Sequence, residues 1–297
     1  MPYDLIFTES YEKTERRFLK RHPDLRQRYY FAASRRDPAA TAAILTFIST
    51  RVQLPCGATQ RHERGQTMNF QRPSNIPEHA DLCLKAIFQA GLSDRISLGG
   101  AFGLLHYLDY RSTYDVDAWW APSATDREQH LVIAAVKQVL APLGEVRTRA
   151  WGDVVSIELL EGKRKVFSFQ IAHRTAQLQP STPLPWANSL LDSFDDLVAS
   201  KMVAMVERGA PRDFRDIHAV CHAGLMNPEQ CWELWRQRQT LADSDADRVR
   251  ATLALQIHLE RIALHRPLAQ IEDPTERAEA EQLRRWFVEE FIHVSLD

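Results

Sequence analysis

The sequence predicts an α+β fold, in which a small mixed sheet with flanking helices is followed by a helical C-terminal domain. Short runs rich in β-branched and aromatic residues predict strands, and amphipathic periodicity predicts helices before and after them. Beyond the proline-rich segment 182–185, helical periodicity continues to the end of the chain. The predicted strands are 114–120, 146–149, 154–160 and 166–172, and the predicted flanking helices are 78–90, 101–107 and 125–140.

This pattern divides the chain into three regions. Residues 68–182 are predicted to form the domain with the sheet, and residues 183–297 the helical domain. Residues 1–67 contain 12 lysines and arginines against 7 acidic residues, although the whole chain has a net charge of −2. Residues 1–30 resemble the start of RelE/ParE-type toxins, but the residues after them do not continue that pattern. We expect residues 1–67 to be either an appended fragment or an over-long gene start, with Met68 as the natural initiator.

The composition favours a packed globular protein. The chain is 44% hydrophobic and 26% charged, which is typical of a packed globular protein rather than a disordered one. No stretch approaches the roughly 18 apolar residues of a membrane-spanning helix, and the N-terminus lacks the layout of a signal peptide. The four cysteines are scattered without zinc-like spacing, so we expect reduced thiols in a cytoplasmic protein that does not associate with a membrane.

The segment 97–120 contains the first candidate site. Gly99 and Gly100 follow a short apolar run, and a helix and then an alternating strand come after them. Asp115 and Asp117 are two residues apart in that strand, so both carboxylates point to the same face. Adjacent carboxylates repel each other unless a cation lies between them, and oxygen-only ligands favour Mg²⁺. Taken separately, a diglycine is usually a turn and an Asp-x-Asp pair a solvated strand edge.

The two glycines suit a phosphate site. Without side chains, Gly99 and Gly100 let a phosphate approach the backbone closely. The helix that starts at Ala101 offers free N–H groups and the positive end of its dipole. Together with the paired carboxylates, this spacing favours a functional site for a phosphate and a cation over an ordinary turn and strand edge.

The segment 195–216 contains the second candidate site. It predicts a helix with acidic residues in its first turn and Gly209 at its end, and a second helix that begins at Pro211. Lys201 lies among apolar residues, so its stem is expected to be packed. Asp213 and Asp216 are three residues apart and share a helix face. Composition alone favours an ordinary pair of surface helices here.

Both segments resemble motifs of the AbiEii/AbiGii-type toxin family, which includes the MenT toxins and belongs to the polymerase-β-like nucleotidyltransferase superfamily. The resemblance spans roughly residues 75–225 and excludes 1–67. The first motif is matched by Gly99, Gly100, Ala101, Arg111, Thr113, Asp115 and Asp117. The second is matched by Asp196, Leu197, Lys201, Ala204, Arg208, Arg212, Asp213 and Asp216.

The resemblance implies a sheet of the polymerase-β-like type and a Mg²⁺-dependent enzyme. It would transfer a nucleoside monophosphate from an NTP to an RNA acceptor such as the 3′ end of a tRNA. Asp115 and Asp117 would hold one or two Mg²⁺. The residues that would bind the nucleotide are Gly99, Gly100, Ala101, Arg111 and Thr113.

The remaining motif residues have implied roles with alternatives. Arg111 would clamp a phosphate or form an internal salt bridge. Lys201 would offset charge in the transition state. Asp213 would orient Lys201 or act on the attacking hydroxyl, and Asp216 would have a structural role. The resemblance also implies a toxin with a cognate antitoxin protein, and it leaves the nucleotide base open.

One position departs from the superfamily pattern. A third carboxylate is expected on a later strand, where this sequence has Gln170. Glu158, on the preceding strand, is the candidate substitute if the register allows. Gln170 therefore keeps open an NTP-binding effector without transfer activity. Two further alternatives are a protein-modifying nucleotidyltransferase and an interaction protein whose binding surface is the helical tail.

Overall fold

The computed structural model describes residues 70–294, which lie within one compact unit, Gln66–Asp297. It confirms the predicted fold class, because a seven-stranded mixed sheet with flanking helices precedes a helical C-terminal region. The predicted extension, residues 1–67, lies outside the described residues. The division of the remainder into domains 68–182 and 183–297 stays a prediction.

The sheet places the Asp-x-Asp strand at its centre. The strands are β1 Ile96–Gly99, β2 Asp115–Trp120, β3 Glu145–Trp151, β4 Val154–Glu161, β5 Arg164–Ala172, β6 Thr182–Leu184 and β7 Ser189–Leu191. Their order across the sheet is β3-β4-β5-β2-β1-β7-β6. Strand β2 pairs antiparallel with β1 and parallel with β5. The four predicted strands match β2 to β5 to within two residues at each end.

Eight α-helices lie in the described part of the chain. They are α1 Glu78–Gln89, α2 Gly100–Leu104, α3 Asp126–Leu140, α4 Phe194–Glu207, α5 Pro211–His222, α6 Pro228–Leu241, α7 Arg248–His265 and α8 Pro274–Trp286. Local sequence sets where several of them begin. Thr125 and Glu128 form a capping box at α3, and Ser193 caps α4 through the backbone N–H of Asp196. No described helix has the length and apolar character needed to cross a membrane.

One face of the sheet packs against α1 and α3. Val116, Ala118 and Trp120 of β2 point into this first core, where they are at most 4% exposed. Because side chains alternate along a strand, Asp115 and Asp117 must point to the opposite face. The hydrophobic packing on one side therefore determines the orientation of both carboxylates.

The sheet extends further along the chain than the sequence predicts. The predicted helical region after residue 182 contains β6 and β7 before its first helix. Strand β7 pairs parallel with β1, with Leu191 opposite Leu98. Each of these strands has only three residues, which is too short for a periodic pattern, and Pro183 is tolerated because β6 is an edge strand.

A second core joins the helices α4 to α8. Trp232 and Trp235 are buried in it. Leu104 of α2 belongs to the same core. A Cβ atom on Gly103 would lie 2.7 Å from Leu197 Cδ2, so α2 and α4 are in close contact. The helical region is thereby anchored directly to the short helix that follows the diglycine turn.

Candidate active site

Gly99 and Gly100 form the turn between β1 and α2, beside the side chains of β2. Gly99 lies opposite Asp117 in the antiparallel ladder. Gly100 has a φ of +58°, and a Cβ atom there would overlap the Asp117 carboxylate. A Cβ atom on Gly99 would lie 2.5 Å from Nε1 of Trp119. Both positions need glycine because the Asp117 and Trp119 side chains lie against this turn.

Asp115 and Asp117 share the face of β2 that points away from the first core. The hydroxyl of Ser168 donates to Oδ1 of Asp115 at 2.7 Å, and Nζ of Lys165 lies 3.5 Å from the same oxygen. The Asp117 carboxylate forms no hydrogen bond or ion pair with a described residue. It is therefore available to a ligand from outside these residues.

The electrostatics of Asp117 favour a cation. Burial raises the pKa of Asp117, and the charge of Asp115 raises it further. Lys201, Arg212 and Arg208 oppose this increase, so the positive charges of the helical region act on the carboxylate across the site. A divalent cation at the two carboxylates would relieve the repulsion between them.

The donor set fits Mg²⁺ bound together with a nucleotide. Within residues 70–294 there is no cluster of three or more His, Cys, Asp or Glu side chains that could hold a metal ion. Mg²⁺ in nucleotide sites usually has only one or two protein carboxylates, and phosphates and water complete its coordination. Asp115 and Asp117 supply such a pair beside a turn without side chains.

The position expected for a third carboxylate is occupied by a neutral residue. Gln170 lies next to Asp117 across the parallel ladder between β2 and β5. Glu158 lies opposite Ser168 of β5, one strand further from β2. It accepts two hydrogen bonds from Arg147, at 2.7 and 2.9 Å. Since an intervening strand separates Glu158 from the carboxylate pair, Glu158 does not take the place of Gln170.

Lys201 extends from α4 towards two buried carboxylates on α5. Its Nζ lies 2.6 Å from Oδ2 of Asp216 and 3.9 Å from Oδ1 of Asp213. The side chain of Lys201 is 7% exposed, and both carboxylates are fully buried. Asp216 is therefore the residue that holds the ammonium, a role that the resemblance implies for Asp213 as one of two alternatives. The spacing of three residues shows that the two share a face but not which of them lies closer to Lys201.

Asp216 also binds the loop before β2. Nε and one terminal nitrogen of Arg111 donate to its two carboxylate oxygens at 2.8 and 3.2 Å, and the Tyr110 hydroxyl donates to Oδ1. Burial acts to raise the pKa of Asp216, but Lys201 and Arg111 outweigh burial and lower it. Asp216 thus links the β2 loop, α4 and α5 through one ionised carboxylate.

Asp213 is paired with a different cation, Arg208. Arg208 donates to both of its carboxylate oxygens, at 2.7 and 2.8 Å. The hydrogen bond to Asp213 raises the pKa of Arg208. The Arg208 side chain is half-exposed, so this bidentate pair forms the solvent side of the buried cluster.

Two residues expected to bind the nucleotide are engaged within the protein. Arg111 forms the internal salt bridge with Asp216, the alternative to a phosphate clamp. Thr113 Oγ1 donates to the carbonyl of Asp115 at 3.3 Å and lies 3.4 Å from its backbone nitrogen. Thr113 therefore positions the backbone at the start of β2, and its contact with a nucleotide stays a prediction.

Sequence reasoning did not identify Tyr110, Ser168 or Lys165 as part of this site. A partial signal exists in β5, where polar residues at 168 and 170 alternate with buried Phe167 and Phe169. That alternation predicts a polar face of the strand. It does not predict that Ser168 lies beside Asp115, because the register between β2 and β5 joins segments far apart in the chain.

Comparison with known proteins adds a distant similarity to a solved structure. No family model matches the chain, and no curated protein matches it. Among solved structures, the chain is similar to one described as the crystal structure of ANT(2″)-Ia in complex with adenylyl-2″-tobramycin. The two share 12% sequence identity with a TM-score of 0.38, over 55% of this chain and 94% of that chain. A TM-score of this size does not establish a common fold.

Proposed function

We propose that this protein is a nucleotidyltransferase that transfers a nucleoside monophosphate from an NTP to an acceptor hydroxyl, with Mg²⁺ bound by Asp115 and Asp117. The observation that supports this most is the contact at Gly100, where the turn backbone lies directly against the Asp117 carboxylate. A backbone without side chains beside paired carboxylates suits a triphosphate and its metal. Lys201, within electrostatic reach of Asp117, adds a buried cation.

Each group in the site would have its own role in the reaction. The acceptor oxygen forms a bond to the α-phosphorus, the bond from this phosphorus to the pyrophosphate oxygen breaks, and the hydroxyl proton passes to solvent. Mg²⁺, when bound, neutralises phosphate charge and polarises the α-phosphate. Lys201, oriented by Asp216, would offset the charge that develops on the phosphate oxygens. Backbone N–H groups from Gly99 to Ala101 would bind the phosphates.

The acceptor that we propose is RNA, with the 3′ end of a tRNA as the specific candidate. We also propose a toxin role with a cognate antitoxin. Both rest on the two motifs, which occur in the order of the AbiEii/AbiGii pattern and agree at Lys201, Arg208 and Asp213. A protein acceptor is the main alternative within the same chemistry.

A second candidate function is NTP binding without transfer. It is favoured by Gln170, which lies directly beside Asp117 where a third carboxylate is expected. A neutral amide contributes less to metal binding than a carboxylate and does not accept the proton of the attacking hydroxyl.

The test is a transfer assay with each of the four α-labelled NTPs, Mg²⁺, total tRNA and lysate protein. Asp117→Asn should lower the rate on the order of 10²-fold or more, as losses of charge-stabilising groups do elsewhere. Asp153→Asn, in the exposed turn between β3 and β4, is the control and should transfer like the wild type.

The label identifies the acceptor. Label on RNA with wild type and Asp153→Asn, but not with Asp117→Asn, supports an RNA-directed enzyme and identifies its base. Label on protein instead of RNA would show that the acceptor is a protein. Bound NTP with no label on any acceptor would reject transfer and favour the second candidate.

A further inference from the structure

Helix α5 borders a cavity on a different face from the one that meets Lys201. Its walls are α5, α7 and α8, and the loop 110–112 closes one end. Its volume is about 820 Å³, which falls in the range of small-molecule sites. Because Asp213 and Asp216 point from α5 towards Lys201, the cavity and the candidate active site lie on two faces of one helix.

Positive charge dominates the lining of this cavity. Five arginines line it, against two glutamates. Arg212, Arg215 and Arg284 form no ion pair with a described residue. Burial and the adjacent Arg266 lower the pKa of Arg284, and Arg266 itself pairs with Glu276 at 3.1 Å. The three arginines without an ion pair would be stabilised by an anionic ligand.

The floor of the cavity is apolar. Phe214 and Leu259 are buried beneath it, and Ile262 and Leu283 are partly buried at its side. A ligand that fits both surfaces combines an anionic group with a flat or apolar group. Guanidinium groups bind phosphate bidentately, which makes a phosphate ester the best match for the rim.

The neighbouring cavity in the helical region has the opposite character. It is larger, at about 1160 Å³, and Glu281, Glu289 and Glu290 line it with a single arginine, Arg285. An anion is repelled there by the local field. Of these two cavities, the one lined by arginines therefore suits a phosphate-bearing ligand better.

We propose that the arginine-lined cavity is a second nucleotide site, which takes a nucleoside phosphate with its phosphate on the arginines and its base on the apolar floor. The ligand is either a free nucleotide or the end of an RNA chain, since both present the same chemistry. Arg111 connects this cavity to Asp216 and so to Lys201. A bound ligand would contact the group that orients the lysine of the candidate active site.

The test distinguishes binding in this cavity from binding at the candidate metal site. Isothermal titration with AMP, adenosine and a short single-stranded RNA is carried out in EDTA, on full-length wild type and Asp117→Asn. We expect AMP or the RNA to bind both proteins equally. Arg215→Ala and Arg284→Ala should each weaken binding about tenfold or more, since a hydrogen bond to a charged group is lost. Added NaCl should weaken binding as well.

Arg236→Ala is the matched control, because Arg236 is about half-exposed on α6 and pairs with a glutamate of its own helix. It should bind like the wild type. Binding of AMP identifies a free nucleotide as the ligand, and binding of RNA alone identifies an RNA end. The proposal is overturned if neither binds in EDTA, if adenosine binds as tightly as AMP, or if both arginine variants bind like the wild type. None of these outcomes depends on transfer activity.

Discussion

At the scale of single residues, Gly100 and Gly162 have similar positive φ angles but different surroundings. Their φ angles are +58° and +61°. A Cβ atom on Gly100 would overlap the Asp117 carboxylate, whereas no atom lies within 4 Å of one on Gly162. Alanine substitutions at these two glycines therefore separate the free-energy cost of a left-handed backbone from the effect of displacing a carboxylate.

We expect Gly100→Ala to abolish metal-dependent NTP binding and to lower transfer on the order of 10²-fold, because the new methyl group displaces Asp117. Gly162→Ala should cost about 1–2 kcal/mol of stability through backbone strain alone and leave NTP binding intact. Titration with Mg²⁺–NTP and urea unfolding measure the two effects. Equal NTP affinity in both variants would show that contact with Asp117 has no functional role.

His106 is a buried histidine that sequence reasoning did not single out. Its Nδ1 lies 3.0 Å from the carbonyl of Phe102, and its ring stacks on Trp186 with centroids 5.5 Å apart. Nε2 is buried and has no partner among the described residues. Burial lowers the pKa of His106 to about 4. A proton on Nε2 would place an unpaired charge in the interior.

This shift predicts a loss of stability in acid. The folded-state pKa lies below the ordinary value of 6.5, so the unfolded chain takes up the proton first. The contribution of His106 is complete above about pH 6.5 and decreases by about 3 kcal/mol as the pH falls to 4. Urea unfolding at several pH values should show a shallower pH dependence in His106→Gln. His130→Gln, at an exposed position on α3, should keep the slope of the wild type.

At the scale of elements, Asp216 joins three segments that local sequence leaves independent. It accepts hydrogen bonds from Arg111 and Tyr110 in the loop before β2, and it pairs with Lys201 of α4. Since Asp216 is fully buried, its removal leaves two cations without their common partner. The position of the candidate catalytic lysine therefore depends on a residue of the next helix.

Asp216→Asn is expected to cost about 3–5 kcal/mol of unfolding free energy, the range measured when one partner of a buried ion pair is removed. Glu233→Gln breaks the exposed pair with Arg236 on α6 and should cost less than about 1 kcal/mol. Urea unfolding at neutral pH compares the two. A small cost for Asp216→Asn would mean that this cluster does not hold the segments together.

At the scale of the whole molecule, the two hydrophobic cores meet at α2. Phe102 belongs to the core of the sheet and Leu104 to the core of the helical region. Gly103 between them allows the close approach of Leu197. The helix that follows the diglycine turn is thus packed on both sides, and charges of the helical region act on Asp117.

We therefore expect the sheet and the helices to unfold together. Trp232→Ala, deep in the second core, should cost about 3–5 kcal/mol because it leaves a large cavity. It also removes the hydrogen bond from Trp232 Nε1 to the carbonyl of Phe291. Loss of NTP binding should follow the same urea transition as loss of far-UV circular dichroism. Two separate transitions would contradict the coupling of the cores.

Local sequence was sufficient for most elements of the fold. The strands β2 to β5 and the helices α1 and α3 have clear periodicity and recognisable ends, such as the Thr125–Glu128 capping box, so their bounds were predicted closely. Strands β1, β6 and β7 were not predicted, because three or four residues are too few to show a period. The pairing of β7 with distant β1 depends on contacts that no local window contains.

For the candidate site, local spacing predicted two carboxylates on one face of β2, glycines before a helix, and Lys201 and two aspartates on neighbouring helices. Their contacts follow from the tertiary structure, in which Gln170 lies beside Asp117 and Lys201 lies closer to Asp216 than to Asp213. The physical reason is that register and helix packing are set by long-range burial, whereas periodicity fixes only which face of an element a side chain occupies.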